Sequence, residues 1–187
     1  MNLGWVMEAS ARAEGVVSLV PVTSGNLHEV NAIFDELTAY SQRVDGVARR
    51  NDAADTFMTA VPAGHALKDK HAFVAKRGGA ALGLLDMIDG YPSSGTVFIG
   101  LFAVRESAQG SGIGRALYRE AERFARDNLG ARNMRLAVVE TNPVIGFWTK
   151  MGFHPTGEVK PFSGEANTSR AILMEKEFGP TVSSSAL

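Results

Sequence analysis

The stretch Gln109-Gly110-Ser111-Gly112-Ile113-Gly114-Arg115 sets glycines at alternate positions and runs straight into a helical pattern. Glycine at the mouth of a helix costs conformational entropy, so the backbone must gain something from its freedom there. The chemistry this suits is anion binding. The first N–H groups of a helix have no carbonyl partner, and small residues leave them bare. A tight strand-to-helix turn alone needs fewer glycines. A dinucleotide fingerprint asks for a third glycine three residues after the second, and Arg115 stands there instead. Arg105 to Gln109 also separate the preceding apolar run from Gly110. A nucleotide P-loop asks for Lys-Ser/Thr after the glycines, and none follows.

Other reactive types are few. There is no cysteine, which removes thiol nucleophiles, disulfides and cysteine zinc sites. His28, His65, His71 and His154 show no metal spacing and read as structural, so no metal site is expected. Arg115, Arg119, Arg123 and Arg126 interleave with Glu120 and Glu122 as a solvated helix face. The net charge of −1 argues against non-specific nucleic-acid binding. The first residues carry no basic segment followed by an apolar run, and the apolar run 97–104 is far too short to span a bilayer. A cytoplasmic protein engaging neither nucleic acid nor membrane is expected. The 187 residues suit one domain, expected over 16–178, with a loose leader at 1–15 and a disordered tail at 179–187.

These residues need a scaffold. Residues 16–22 form a β-branched run, a first strand. Leu27, Val30, Ile33, Phe34 and Leu37 have helical spacing, which predicts a helix over 26–40 with Asn26 and Glu29 as a capping box. A second helix over 51–61 stops at Pro62. Residues 71–88 read as two strands around a Gly78-Gly79 turn, and 96–104 as a long buried strand. The glycine stretch opens a helix that ends near Gly130. A buried strand over 134–139 precedes a short helix with Asn142 at its cap and Pro143 at its first position. Residues 152–159 and 170–178 finish as a strand pair. The order β-α-α-β-β-β-α-β-α-β-β describes a mixed α/β chain with helices packed on one sheet.

The segment LFAVRESAQGSGIGRAL resembles the acetyl-CoA-binding motif of the GNAT superfamily of N-acetyltransferases, Gln/Arg-x-x-Gly-x-Gly/Ala, here Gln109, Gly112 and Gly114. LAVVETNPVIGFWTKMGF is similar to that family's second signature: a strand, a short helix and a terminal Gly-Phe. The resemblance covers roughly residues 16–178. It implies the GNAT fold, a mixed and mostly antiparallel sheet splayed between its fourth and fifth strands, with helices on both faces. It implies acetyl-CoA as acetyl donor. The backbone N–H groups of Gln109, Gly110, Ser111, Gly112, Ile113, Gly114 and Arg115 would take the diphosphate, and the backbone of Phe102 and Val104 the pantetheine arm. The acceptor would be a primary amine of a small molecule or peptide, and the family leaves room for a homodimer.

The implied reaction moves an acetyl group from a thioester to an amine. With no cysteine for a covalent route, direct attack in a ternary complex is the natural course. A lysine-like amine has a pKa of about 10.4, so only about 1 in 2,000 is neutral at pH 7, a cost of roughly 4–5 kcal/mol unless a base takes the proton. The developing oxyanion needs a donor, and the Val104 N–H is expected to supply it. Many relatives carry a glutamate as base where this chain has Leu101, and a tyrosine as acid where it has Trp148. An indole is far too weak an acid for that role. Glu140 and Asp86 remain as base candidates, Asp86 acting through water. Relatives place an asparagine where this chain has Thr141; Asn142 next to it is carried over as a cofactor contact. Asp89, Tyr91, Tyr40 and Asp45 could face the acceptor. Two alternatives stand beside this reading: a silent acyl-CoA-binding module, and a toxin acetylating aminoacyl-tRNA, which would be expected to show a basic acceptor face.

Overall fold

A computed structural model describes residues 16–179; the expected leader, and the expected tail after Gly179, lie outside the described residues. Seven strands form one sheet: β1 Ser18–Pro21, β2 Lys70–Arg77, β3 Ala80–Asp89, β4 Thr96–Val104, β5 Asn133–Val139, β6 His154–Ser163 and β7 Thr168–Glu177. Their order is β1-β2-β3-β4-β5-β7-β6. Neighbours run antiparallel except β4 and β5, which are parallel. The α-helices are α1 Leu27–Glu36, α2 Thr38–Val44, α3 Ala53–Thr59, α4 Ile113–Asp127 and α5 Ile145–Lys150. A parallel pair needs a crossover, and α4 supplies it. Among the described residues no helix is long and apolar enough to cross a membrane.

Two apolar layers sandwich the sheet. On one face Ile113, Leu117 and Ala121 of α4 and Trp148 of α5 pack against Leu85, Met87, Ile99 and Leu136. On the other, Val30, Ile33 and Phe34 of α1 and Phe57 of α3 pack against Val74, Leu84 and Ala103. The β2–β3 turn is the two-residue hairpin expected, with Gly78 and Gly79 at φ +55° and +81°. Positive φ at both central residues suits the strand twist and is costly for any residue with a Cβ.

One irregularity governs the site. Asp86 pairs with Leu101 and Met87 with Ile99, so Gly100 is an extra residue in β4. A bulge of this kind resets the alternation of side chains. Val97 and Ile99 before it face α4, and so do Phe102 and Val104 after it. Leu101 and Ala103 join the α1 face.

Three local expectations change. The helix expected over 26–40 breaks at Leu37, whose backbone leaves helical geometry between α1 and α2. Leu37 is buried in the α1 layer, and the break lets the chain fold over the sheet. Asn26 does not cap α1 with Glu29. Its Oδ1 accepts the Thr23 N–H at 2.8 Å, and Glu29 pairs with Lys76 on β2 at 2.7 Å. The short helix starts after Val144, so Asn142 and Pro143 belong to the loop before it.

Candidate active site

β4 and β5 pair only from Thr96↔Asn133 to Ile99↔Leu136. Beyond that they part, β4 held by β3 as far as Val104 and β5 by β7 as far as Val139. The splay expected between these strands is therefore present. It opens a cleft of about 740 Å³ lined by both strands, the glycine stretch, α5 and residues of α1–α2.

Backbone directions in the cleft follow from register. The Arg105 N–H donates to the Leu82 carbonyl at 2.9 Å. Alternation in an antiparallel pair then turns Ala103 toward β3 and leaves the N–H groups of Phe102 and Val104 facing the opening. The Val104 carbonyl accepts the Gln109 side-chain amide at 3.0 Å, so Gln109 fastens the strand end to the loop that follows. On the other wall the Glu140 N–H donates to Arg170 on β7, which by the same alternation turns Ala137 and Val139 to the cleft.

At the cleft mouth the N–H groups of Gly110, Ser111, Gly112, Ile113, Gly114 and Arg115 donate to no backbone carbonyl among the described residues. The helix dipole of α4 adds positive potential at the same place. Gly110 and Gly112 sit at φ +77° and +86°, and a Cβ on either would meet no atom within 4 Å. Gly114 is helical, and its Cβ would lie 3.5 Å from Phe147, an ordinary contact. So Gly110 and Gly112 are needed for their conformation, whereas Gly114 keeps a helical surface bare. A run of unpartnered donors, a helix N-terminus and an adjacent strand edge with free N–H groups suit a diphosphate joined to an extended amide-bearing arm. The residues present therefore fit acetyl-CoA.

Aromatic rings floor this end. Trp148 is 5% exposed, its ring centroid 5.0 Å from those of Phe102 and Phe147 and 5.3 Å from Phe153. It is a packing residue that also lines the cleft. The other end is covered by α2. The Ala39 N–H near its start donates to Glu106 in the loop after β4 at 2.7 Å, and Glu36, the last residue of α1, pairs with Arg105 of that loop and accepts from Ser107 Oγ at 3.0 Å. The C-terminal side of α2 is tied beyond β5, where Thr141 Oγ1 donates to the Arg43 carbonyl at 2.5 Å. One helix thus bridges both walls, bringing Tyr40 and Arg43 into the lining. Burial, helped by Asp45, pushes the Tyr40 phenol up to about 12. Asp45 is buried at the end of α2 and lines a neighbouring polar pocket with Asp52 and Glu165.

The two carboxylates differ. Glu140 does not line the cleft; Arg170 on β7 binds both its oxygens, at 2.9 and 2.8 Å. Asp86 is 7% exposed, on the Leu101 side of the sheet, with Lys70 Nζ 2.7 Å from its Oδ2. Burial raises its carboxyl above the usual range and Lys70 opposes the rise. Asp86 is likewise outside the lining, but it lies directly behind Gly100, which lines the cleft. Leu101 lines it too, as does Asn142, whose Oδ1 is buried without a partner. Asp89 and Tyr91 are outside the lining. His71 packs edge-on against Phe124 and His65 against Tyr91, and among the described residues no three His, Cys, Asp or Glu gather as a metal site. No local sequence pattern marks Arg43, Lys150 or Lys70; only the fold brings them to the cleft or behind its wall.

A family model described as the Acetyltransferase (GNAT) family matches residues 30–153. A GCN5-related N-acetyltransferase from Kribbella flavida superposes with a TM-score of 0.64 at 22% identity, covering 88% of this chain and 99% of the other. An acetyltransferase from Thermus thermophilus gives 0.63 at 23%, covering 87% and 97%. A Bacillus subtilis acetyltransferase in complex with CoA gives 0.58 at 18%, covering 88% and 99%. No curated protein matches. A matching family model over residues 30–153, a sheet parted between β4 and β5 and a bare helix mouth beside the gap lead to one statement: the chain belongs to the GNAT acetyltransferase family and is an acyltransferase.

Proposed function

We propose that the protein transfers an acetyl group from acetyl-CoA to a primary amine of a small molecule or peptide, by direct attack in a ternary complex. The observation that carries this reading is the run of unpartnered N–H groups from Gly110 to Arg115 beside the free edge of β4. Gly110 to Arg115 would hold the diphosphate, Phe102 and Val104 the arm, and Asn142 Oδ1 is free to accept a donor from it. When bound, acetyl-CoA supplies an activated acetyl group and a leaving group stable as a thiolate. The Val104 N–H, facing the opening, donates to the acyl oxygen as it gains charge. Of the two carboxylates, Asp86 suits the base better. Glu140 is held on both oxygens by Arg170, whereas Asp86 keeps Oδ1 buried without a partner behind Gly100 of the cleft wall. Trp148 packs and does not donate a proton.

A screen of amines that follows coenzyme A release tests the proposal. Turnover with at least one amine is expected. Tight acetyl-CoA binding with no turnover on amino acids, polyamines, aminoglycosides or peptides would favour the silent binding module, which Leu101 and Trp148 make a real rival.

A further inference from the structure

Asp86 and Lys70 form the most enclosed ion pair among the described residues, with side chains 9% and 3% exposed. Such pairs rarely add stability, because desolvation offsets their attraction. Here Lys70 meets Oδ2, while Oδ1 is buried without a partner. Glu29, paired with Lys76 through Oε1, also leaves one oxygen buried without a partner, so what distinguishes Asp86 is the place of its orphan oxygen behind Gly100 of the cleft wall. A Cβ on Gly100 would fall 2.9 Å from Oδ1 and 3.0 Å from Oδ2. The carboxylate therefore fills the space that a side chain at position 100 would take. Gly100 is itself exposed, is the extra residue of the β4 bulge and lines the cleft.

We infer that Lys70 is a positioning residue of the reaction: it grips Oδ2 and leaves Oδ1 unpartnered behind the bare backbone at Gly100, where a water can pass it the acceptor's proton. This rests on Asp86 being the base. In the proton step an N–H bond of the acceptor ammonium breaks with its electron pair staying on nitrogen, the proton passes to a water at Gly100, and that water gives one of its own protons to Oδ1. Lys70 keeps its protons throughout. Asp86 then returns its proton to water in the cleft. β2 turns Lys70 and Ala72 to Asp86, and β4 turns Gly100 and Leu101; Lys70 alone bears on the carboxyl by charge.

The test combines pH–rate profiles of purified variants with acetyl-CoA binding. Lys70→Met removes the opposing charge, so Asp86 holds its proton to higher pH. The acidic limb of kcat/KM should move up by about one pH unit or more, with acetyl-CoA affinity within about twofold of the parent. Lys70→Arg should restore most of the parent profile. Gly100→Ala, which needs no loss of charge, should lower turnover about tenfold or more with the cofactor still bound. A folded Lys70→Met protein whose acidic limb stays in place overturns the inference. If that variant does not fold, Gly100→Ala decides: full turnover overturns it. Asp86→Asn separates the two layers. Full turnover there removes the base and this inference together. Lost turnover there, with an unmoved limb in Lys70→Met, removes only the inference.

Discussion

The glycines at the cleft mouth do two different jobs. Gly112, at φ +86°, is the cap of α4, so Gly112→Ala should cost about 1–2 kcal/mol of stability from left-handed strain. Gly114 is helical with room for a methyl against Phe147, so Gly114→Ala should leave stability unchanged or raise it by up to about 1 kcal/mol. The motif admits alanine at this position, so acetyl-CoA affinity in Gly114→Ala should stay within about threefold of the parent, whereas Gly112→Leu, which sets a bulky side chain among the unpartnered N–H groups, should lower it about tenfold or more, a difference of about 1.4 kcal/mol. Denaturant unfolding and calorimetric titration read the two quantities separately. Equal acetyl-CoA affinity in a folded Gly112→Leu protein would move the anion site elsewhere. For the carboxylates, Asp86→Asn should cut turnover about tenfold or more, and Glu140→Gln should change it less than about threefold. The Glu140–Arg170 pair is solvent-exposed and contributes about 0.2–1 kcal/mol at most. A tenfold loss confined to Glu140→Gln reverses the assignment. Trp148→Phe should keep the shape of the pH profile, since packing and not proton donation is lost; loss of its basic limb would contradict that.

At the scale of elements, two tethers hold the site together. Lys176 on β7 donates to Tyr118 Oη at 3.0 Å, Glu122 at 2.8 Å and the Met151 carbonyl at 2.9 Å, joining the sheet to α4 and to the end of α5. Lys176→Met strands all three acceptors and should destabilise the fold by about 2–3 kcal/mol in denaturant melts. A change under about 0.5 kcal/mol would mean that water satisfies them equally well. The second tether is α2. Glu36→Gln, at the end of α1 just before it, weakens the hold on Arg105 and Ser107, and hydrogen exchange over residues 38–44 should quicken about two- to fivefold while α4 exchange is unchanged. Equal acceleration in both helices would show general loosening instead of release of the cover.

For the whole molecule, ligand binding couples to global stability because the cleft is built from both halves of the sheet. Acetyl-CoA at about 100 times its dissociation constant should add about 2.7 kcal/mol, a rise in Tm of roughly 5–11 °C at this chain length. Calorimetric melts with acetyl-CoA and with acetate separate a built site from bulk ionic effects. Acetate should do nothing. An equal rise with both would argue against binding in the cleft.

Local patterns in the chain were enough to place most elements. Helical spacing in α1 and α4, the paired glycines at 78 and 79 and the alternate glycines at 110, 112 and 114 each express a backbone preference that a few neighbouring residues decide. The motif around Gln109 carried the family in the same way, because an anion-binding helix mouth is a local object. What tertiary structure alone decided depends on register between distant strands. The extra residue at Gly100 exists only relative to β3, and it alone sets which side chains of β4 meet α1. Asp86 and Glu140 look alike as acidic residues in apolar strands. Pairing with β2 buries the first against Lys70, and pairing with β7 gives the second to Arg170. The break at Leu37 likewise waits on carboxylates that reach Arg105, Ser107 and the Ala39 amide from across a long stretch of sequence. Charge and burial act through space, so the chemistry of a carboxylate becomes readable once its neighbours are known.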